Sequence, residues 1–434
     1  MKPVKIGLLG FGTVGNGIAS VLNRSGDEIA RRAGRKLEIV GACVRNLDRN
    51  NPYNIALTTD ANLLLDNPEI EIIVEIMGGH NPAKKYITQA LNNGKHVVTA
   101  NKALIAVHGN DIFKLAQEQD LMVAFEAAVA GGIPIIKIIR EGLASNQIEW
   151  LAGIINGTGN FILTEMKEKG RDFAEVLAQA QALGYAEADP AFDVEGIDAA
   201  HKLTILASIA FGIPLQFDKV YIEGITKITR EDVQYADEFG YNIKHLGLAK
   251  RKQSGIELRV HPTLIPKKRL IANVNGIMNA ILVKGDAVGP VLSYGAGAGS
   301  EPTASAVIAD LVDVVRTLNA DSSNRVPHLA FQADRLSNFP ILSQDEIKTA
   351  YYLRMQALDK PGVLAEITRI LSQNNISIEQ MMQKKSNSGE SAQIIMTTHR
   401  VKEQLMQTAI TEIESLNVLN QKIALIRIES LWGS

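Results

Sequence analysis

The sequence predicts an α/β fold in three parts: a parallel sheet covered by helices on both sides, an α+β domain, and a terminal ferredoxin-like βαββαβ module. Three observations predict it. Strand-like and helix-like stretches alternate through the first third of the chain. The centre mixes longer amphipathic helices with isolated strand-like runs. The last part carries a complete strand-helix-strand-strand-helix-strand pattern of its own.

In the first third, Val4 to Leu9 reads as a strand and Thr13 to Asn23 as a helix, followed by a strand over Leu37 to Val44. Ile70 to Met77 is then a strand, Pro82 to Asn93 a helix, His96 to Thr99 a strand, then a helix ending near Gln119 and a strand over Leu121 to Phe125. In the centre, Phe173 to Leu183, Ile197 to Phe211 and Thr229 to Leu248 have helical apolar spacing, and Ile256 to Thr263 is strand-like. Ser305 to Leu318 is a one-faced helix after the glycine-rich loop Gly295 to Gly299, and is expected to return to the first domain. Asn338 to Thr349, polar and containing proline, reads as a linker. The terminal module runs Tyr351 to Leu358 (strand), Gly362 to Gln373 (helix), Ile376 to Lys384 (strand), a turn at Ser386-Asn387-Ser388-Gly389, Ala392 to Thr398 (strand), Lys402 to Leu416 (helix) and Lys422 to Ile428 (strand). The expected domains are therefore 1–131 with 300–337, 132–299 and 350–434, with the linker at 338–349.

With 434 residues, 46% hydrophobic and 21% charged, the chain has the composition of an ordinary globular protein with room for a large core. Its net charge of -2 and lack of a basic cluster argue against nucleic acid and acidic membrane as partners. A lone Cys43 excludes an internal disulfide and a multi-cysteine metal site, and points to a reducing compartment, the cytoplasm. Each apolar run is broken by Gly, Pro or charge, and the strand-like start after Met1-Lys2-Pro3 is unlike a signal peptide, so a membrane span or leader is not expected.

Gly10-Phe11-Gly12-Thr13-Val14-Gly15 fits G-x-G-x-x-G directly after a strand and at the opening of a helix. That context predicts a Rossmann-type domain holding a dinucleotide: Gly10 makes the turn, Gly12 lets the backbone approach a pyrophosphate, and Gly15 allows close helix packing. Arg45, after the second strand, leans the site toward NADP over NAD, although Asp48 nearby blurs the preference. Gly78-Gly79-His80-Asn81 and Ala100-Asn101-Lys102 follow later strands and open on the same edge. Lys102 is either a nicotinamide or substrate contact or a solvated strand-end lysine, and His80 reads as a loop residue.

Asp198 and Lys202 share a helical face at i,i+4 with Ile205, Leu206 and Ile209, whereas His201, Thr204 and Ser208 form a separate polar stripe. An acid-lysine pair on the apolar face points into the protein or into a pocket. Oxidising an alcohol with a nicotinamide requires a base for the hydroxyl proton, and Lys202 serves if desolvation and nearby positive charge lower its pKa. Asp198 then holds it in register, and Glu187 is placed to pair with a substrate ammonium, which makes hydroxy amino acids the expected substrates.

The same residues carry a resemblance that spans essentially the whole chain. Gly7 to Gly15, Thr99 to Lys102, Phe125 to Pro134, Asn156 to Asn160, Gly184 to Pro190 and Asp193 to Lys202 resemble homoserine dehydrogenase, in the monofunctional form with a C-terminal ACT domain. The resemblance implies NAD(P)-dependent interconversion of L-homoserine and L-aspartate 4-semialdehyde, a step toward threonine, methionine and isoleucine. It implies that Lys202, directly or through a water, is the proton donor and acceptor, that Gly184, Glu187, Asp198 and Lys102 bind substrate, and that Gly299 and Lys102 join Gly10 to Gly15 at the cofactor. It also implies a structural sodium or potassium ion held by the Glu126 carboxylate and the carbonyls of Val129, Gly131 and Ile133.

Leu358-Asp359-Lys360-Pro361-Gly362-Val363-Leu364 is similar to the first turn of ACT domains, which implies either an amino-acid effector such as threonine or a purely structural pairing module. Edge strands of such a module favour a homodimer or homotetramer. Two rival readings stand beside this one: a dehydrogenase of a related hydroxy acid, and a nucleotide-bound amino-acid sensor without turnover.

Overall fold

A computed structural model describes residues 2–321, 324–385 and 391–431. In chain order the first elements are β1 (Val4–Leu9), α1 (Thr13–Ala33), β2 (Leu37–Cys43), β3 (Leu57–Thr58), α2 (Asn62–Leu65), β4 (Ile72–Glu75), α3 (Ala83–Asn92), β5 (His96–Thr99), α4 (Lys102–Glu118) and β6 (Val123–Ala124). The central elements are α5 (Ile135–Lys137), β7 (Ile148–Ile154), α6 (Gly157–Lys169), α7 (Phe173–Ala182), α8 (Ala191–Val194), α9 (Ile197–Phe211), β8 (Tyr221–Ile222), α10 (Arg230–Glu238), β9 (Tyr241–Arg251), β10 (Ile256–Pro266), β11 (Met278–Gly285), β12 (Gly289–Ala296) and α11 (Ser300–Thr317). The last are β13 (Lys348–Leu358), α12 (Val363–Gln373), β14 (Ile378–Lys385), β15 (Ser391–Thr398), β16 (Val401–Lys402), α13 (Glu403–Ser415) and β17 (Ala424–Ile428).

The chain divides into two compact units, one of residues 1–157, 198–220 and 277–339, the other of 158–197, 221–276 and 340–434. The first unit holds a parallel sheet in the order β3-β2-β1-β4-β5-β6. Its inner strands are apolar in continuous runs because helices cover both faces, and Ile72, Ile73 and Val74 are all fully buried. The order reverses between β1 and β4, which makes the carboxyl edge there the crevice of the sheet. As expected, α11 returns to this sheet and packs on α1; a Cβ on Gly17 would sit 2.5 Å from the Ser300 carbonyl oxygen, so the crossing demands a residue without one. The same unit contains α9 and the antiparallel strands β7, β11 and β12.

In the second unit β9 and β10 form a long antiparallel pair, and β10 pairs in parallel with β17. From β17 the sheet continues through β13 and β15 to β14, with α12 and α13 packed on it, which is the expected βαββαβ module. The Ser386 to Gly389 turn lies outside the described residues.

Two expectations are corrected. Thr229 to Leu248 is not one helix: α10 starts at a Thr229–Asp232 capping box and ends before Gly240, whose φ of 85° breaks the helix, and Tyr241 begins β9. The strand is buried almost throughout, so its apolar run lacks the alternation that separates strand from helix. The Asn338 to Thr349 linker is shorter than read, because β13 begins at Lys348. The polar stripe of α9 is buried along with the Asp198–Lys202 face: every residue from Asp198 to Phe211 is buried, His201, Thr204 and Ser208 among them. Among the described residues no helix is long and apolar enough to cross a membrane.

Candidate active site

At the β1–α1 turn Gly10 has φ 105°, and a Cβ there would lie 3.0 Å from the Ile76 carbonyl oxygen. Gly12 faces open space, and Gly15 packs so that a Cβ would meet the Phe11 ring at 3.0 Å. The N-cap of α1 is Gly12, which has no side chain to bond the first amides of the helix. Gly299 precedes α11 beside this turn, where the Ser300 hydroxyl donates to the Thr13 carbonyl at 2.8 Å. The three motif glycines thus share one turn, with Thr13 exposed and Val14 half-buried. Arg45 is exposed just past the carboxyl end of β2.

The segment after β5 places Asn101 as the cap of α4, its side-chain oxygen accepting from the Leu104 amide at 3.1 Å. Lys102 is therefore the first residue of α4, and its ammonium reaches Asp198 Oδ1 at 3.0 Å. The other oxygen, Oδ2, accepts from Lys202 Nζ at 2.7 Å and Asn156 Nδ2 at 2.9 Å. Lys202 also donates to the Ile155 carbonyl at 2.7 Å. One carboxylate, 3% exposed, thus stands between two lysines. Burial alone would raise its pKa, but Lys202, Lys102 and Asn156 outweigh burial and hold Asp198 well below the usual carboxylate range. On the next position His201 stacks on Phe217 at 4.2 Å, and burial brings its pKa down to about 4 against the pull of Asp198, so it is neutral. His80 is exposed in its loop and meets His108 edge-on at 5.4 Å.

Asn156 was not singled out by itself from sequence, although it opens the Asn156-Gly157-Thr158 segment before α6. The glycines there signal a tight junction; that the asparagine side chain turns onto Asp198 depends on tertiary placement. Gly184 and Glu187 belong to the second unit, both exposed on the loop after α7. That loop is tethered through its Tyr185 carbonyl, which accepts the Thr158 hydroxyl at 2.7 Å; Asp193 Oδ2 of α8 accepts the same hydroxyl at 3.2 Å.

Glu126 is 1% exposed, and its two oxygens accept from the amides of Ile136 and Lys137, each at 2.9 Å. Its own amide donates to Asp310, also buried, at 2.8 Å. Burial, then the Asp310 charge, push Glu126 up to about 7, and burial pushes Asp310 up to about 6 against Lys137. Val129, Gly131 and Ile133 follow on a buried turn closed by the Ile133 amide on the Ala130 carbonyl at 2.7 Å. No group of three His, Cys, Asp or Glu side chains among the described residues could hold a metal ion.

Comparison with known proteins places the chain beside one enzyme family. Residues 10–126 match the family described as homoserine dehydrogenase, NAD binding domain; residues 134–312 match homoserine dehydrogenase; residues 351–418 match the ACT domain. A homoserine dehydrogenase of Pseudomonas aeruginosa is 62% identical over 436 residues, covering 99% of this chain and 100% of that protein. The crystal structure of a homoserine dehydrogenase from Thiobacillus denitrificans matches 100% of this chain and 99% of its own at 61% identity, with a TM-score of 0.96. A hyperthermophilic archaeal homoserine dehydrogenase in complex with NADPH matches 74% of this chain and 99% of its own at 26% identity, with a TM-score of 0.63.

Proposed function

Because the chain belongs to the homoserine dehydrogenase family and is an NAD(P)-dependent oxidoreductase interconverting L-homoserine and L-aspartate 4-semialdehyde, we propose that Lys202 exchanges the proton of the reacting hydroxyl. The observation that carries this reading is the buried Asp198 carboxylate shared by Lys102 and Lys202. A bound nicotinamide supplies the hydride acceptor in one direction and the donor in the other. In oxidation the hydroxyl proton passes to the Lys202 amine as the carbon gives up hydride; in reduction the ammonium returns it to the carbonyl oxygen. With two cations on one carboxylate, Lys202 loses its proton more readily than a lysine alone with an aspartate would. Asp198 orients the lysine and the substrate hydroxyl, and Gly184 lies on the substrate loop.

Glu187 pairs with the substrate ammonium in this reading. Glu187→Ala is expected to raise the KM for homoserine at least tenfold while changing little for an analogue without the amino group, as loss of a charge-assisted pair of about 1.5–3 kcal/mol implies. Equal losses for both compounds would remove Glu187 from that role.

NADP is the preferred cofactor here, on the support of the exposed Arg45 after β2 and the NADPH-bound archaeal relative. The ACT domain senses threonine, the edge strands β12 and β14 favour a homodimer or homotetramer, and the enzyme works in the cytoplasm on the route to threonine, methionine and isoleucine. The direct test is to mix purified protein with L-homoserine and either NADP or NAD and follow the reduced nicotinamide by absorbance. Homoserine-dependent reduction, faster with NADP and slowed by added threonine, is expected. Inert mixtures in both directions would overturn the activity, and a rate unmoved by threonine would leave the terminal module structural.

Two buried carboxyl groups with raised pKa values fit a site that takes a hard monovalent cation, with the carbonyls of Val129, Gly131 and Ile133 completing the oxygen set. For a carboxyl raised above its unfolded value, stability falls as pH climbs from that value, here 4.5, through the folded value of about 7. A cation favouring ionised Glu126 offsets this loss. Sodium or potassium chloride should therefore raise Tm over choline chloride at equal ionic strength, by a larger margin at pH 8 than at pH 5. Identical melting in all three salts at pH 8 would argue against the ion.

A further inference from the structure

Between the cofactor cradle and the Asp198 cluster lies a carboxylate that the chemistry above does not use. Glu75 ends β4 and is 0% exposed. Its Oε1 accepts from the amides of Met77 at 2.8 Å and Gly78 at 3.2 Å, and Oε2 accepts the Thr99 hydroxyl at 2.7 Å. Thr99 is its neighbour on β5, and the same hydroxyl oxygen accepts from the Asn101 amide at 3.0 Å. Asn101 Nδ2 reaches back to the Gly79 carbonyl at 2.7 Å, and its Oδ1 caps α4. These bonds close a ring around the loop after β4 and the segment 99–102. The next side chain along that segment is Lys102 on Asp198.

Satisfying loop amides does not by itself call for a charge in the core, where an ionised carboxylate is costly to bury. The direction of the protons does call for one. The Thr99 hydroxyl donates to Glu75 while its oxygen accepts from the Asn101 amide, so donors arrive at both carboxyl oxygens. Only a carboxylate accepts on both sides; a glutamine must turn its NH2 either toward Thr99 or toward the two amides. Burial raises the Glu75 pKa on balance, and the hydrogen bonds from Thr99, Met77, Gly78 and Asn101 hold that rise down.

We propose that Glu75 is a positioning residue: an all-acceptor clamp that closes the loop after β4 onto the start of α4 and so sets Lys102 against Asp198 at the cofactor edge. This rests on the reading that Lys102 works at cofactor and substrate. Loosening the clamp draws the Lys102 charge from Asp198, so that Lys202, beside Asn156, feels the carboxylate less offset and binds its proton more tightly.

The experiment is steady-state homoserine oxidation with NADP across pH for Glu75→Gln, Thr99→Val, the double variant, Thr99→Ser and Lys102→Met, with thermal melting of each. Glu75→Gln and Thr99→Val are each expected to lower kcat/KM on the order of tenfold to a hundredfold and to move the ascending limb of the kcat profile to higher pH, as Lys102→Met does. The double variant should be little worse than either single one, and Thr99→Ser, which keeps the hydroxyl, should restore the wild-type limb. If Lys102→Met shifts the limb while Glu75→Gln and Thr99→Val leave it in place, whatever their melting temperatures, the clamp is overturned and the lysine reading stands. An unmoved limb and rate in Lys102→Met would overturn that underlying reading instead.

Discussion

Lys202→Met is expected to lower kcat for homoserine oxidation by roughly 10²–10⁴-fold, the usual contribution of a positioned acid–base group. Methionine keeps most of the aliphatic stem, and Asp198 retains Lys102 and Asn156 as partners, so the buried carboxylate is not left bare. Melting should therefore change far less than turnover. Binding of NADP, followed by quenching of protein fluorescence, should be nearly unaltered, because the proposed pyrophosphate cradle of Gly10 to Gly15 is not part of α9. Turnover within a few-fold of wild type would remove Lys202 from proton transfer.

Glu403→Ala is expected to destabilise the second unit by about 3–5 kcal/mol, the cost of removing one partner of a buried ion pair. Arg427 is 2% exposed and donates to both oxygens of Glu403, at 2.9 and 2.6 Å. Tyr351 donates to the same carboxylate at 2.7 Å, so truncation strands a guanidinium and a phenol together. Glu223 and Tyr221 still hold part of Arg427, which favours the lower end of that range. Urea unfolding of wild type and variant measures the loss, and equal midpoints and slopes would contradict it.

The acid side has a definite sign. Burial opposes ionisation of Glu403 and Glu429, but Arg427 for the first, and Lys250 and Arg259 for the second, depress both, Glu429 to about 2. The contribution of Glu429 is complete above the unfolded value of 4.5 and disappears as pH falls toward about 2, and that of Glu403 is lost in the same direction.

The parallel sheet was legible because its strands are short apolar runs closed by glycine-rich turns, and the terminal module because its six elements recur in one unbroken pattern. Asp198 and Lys202 were legible from a single helical spacing. Their environment was not: the sequence periodicity of α9 gave a polar stripe, and only packing from every side shows that His201, Thr204 and Ser208 are buried as well. Gly240 in a helix-like stretch was the local sign that Tyr241–Arg251 changes to a strand, outweighed in a sequence reading by the apolar residues around it. Glu75 and Asn156 were hidden for another reason. A glutamate ending an apolar strand normally reads as its solvated tip, and what makes it otherwise is a hydroxyl 24 residues away.

The pairing of β10 with β17 gives the chain's end an unusual position. Thr263 and Leu264 lie beside Arg427 and Ile428, and the Glu429 amide donates to the Leu264 carbonyl at 3.0 Å, so the final strand is a seam stitched on both sides. Terminal residues of most proteins can be trimmed with little effect. Here, removing Ala424 to Glu429 would take a neighbour from β13 and β10 at once and take Glu429 from both Lys250 and Arg259, leaving Arg259 to Glu257.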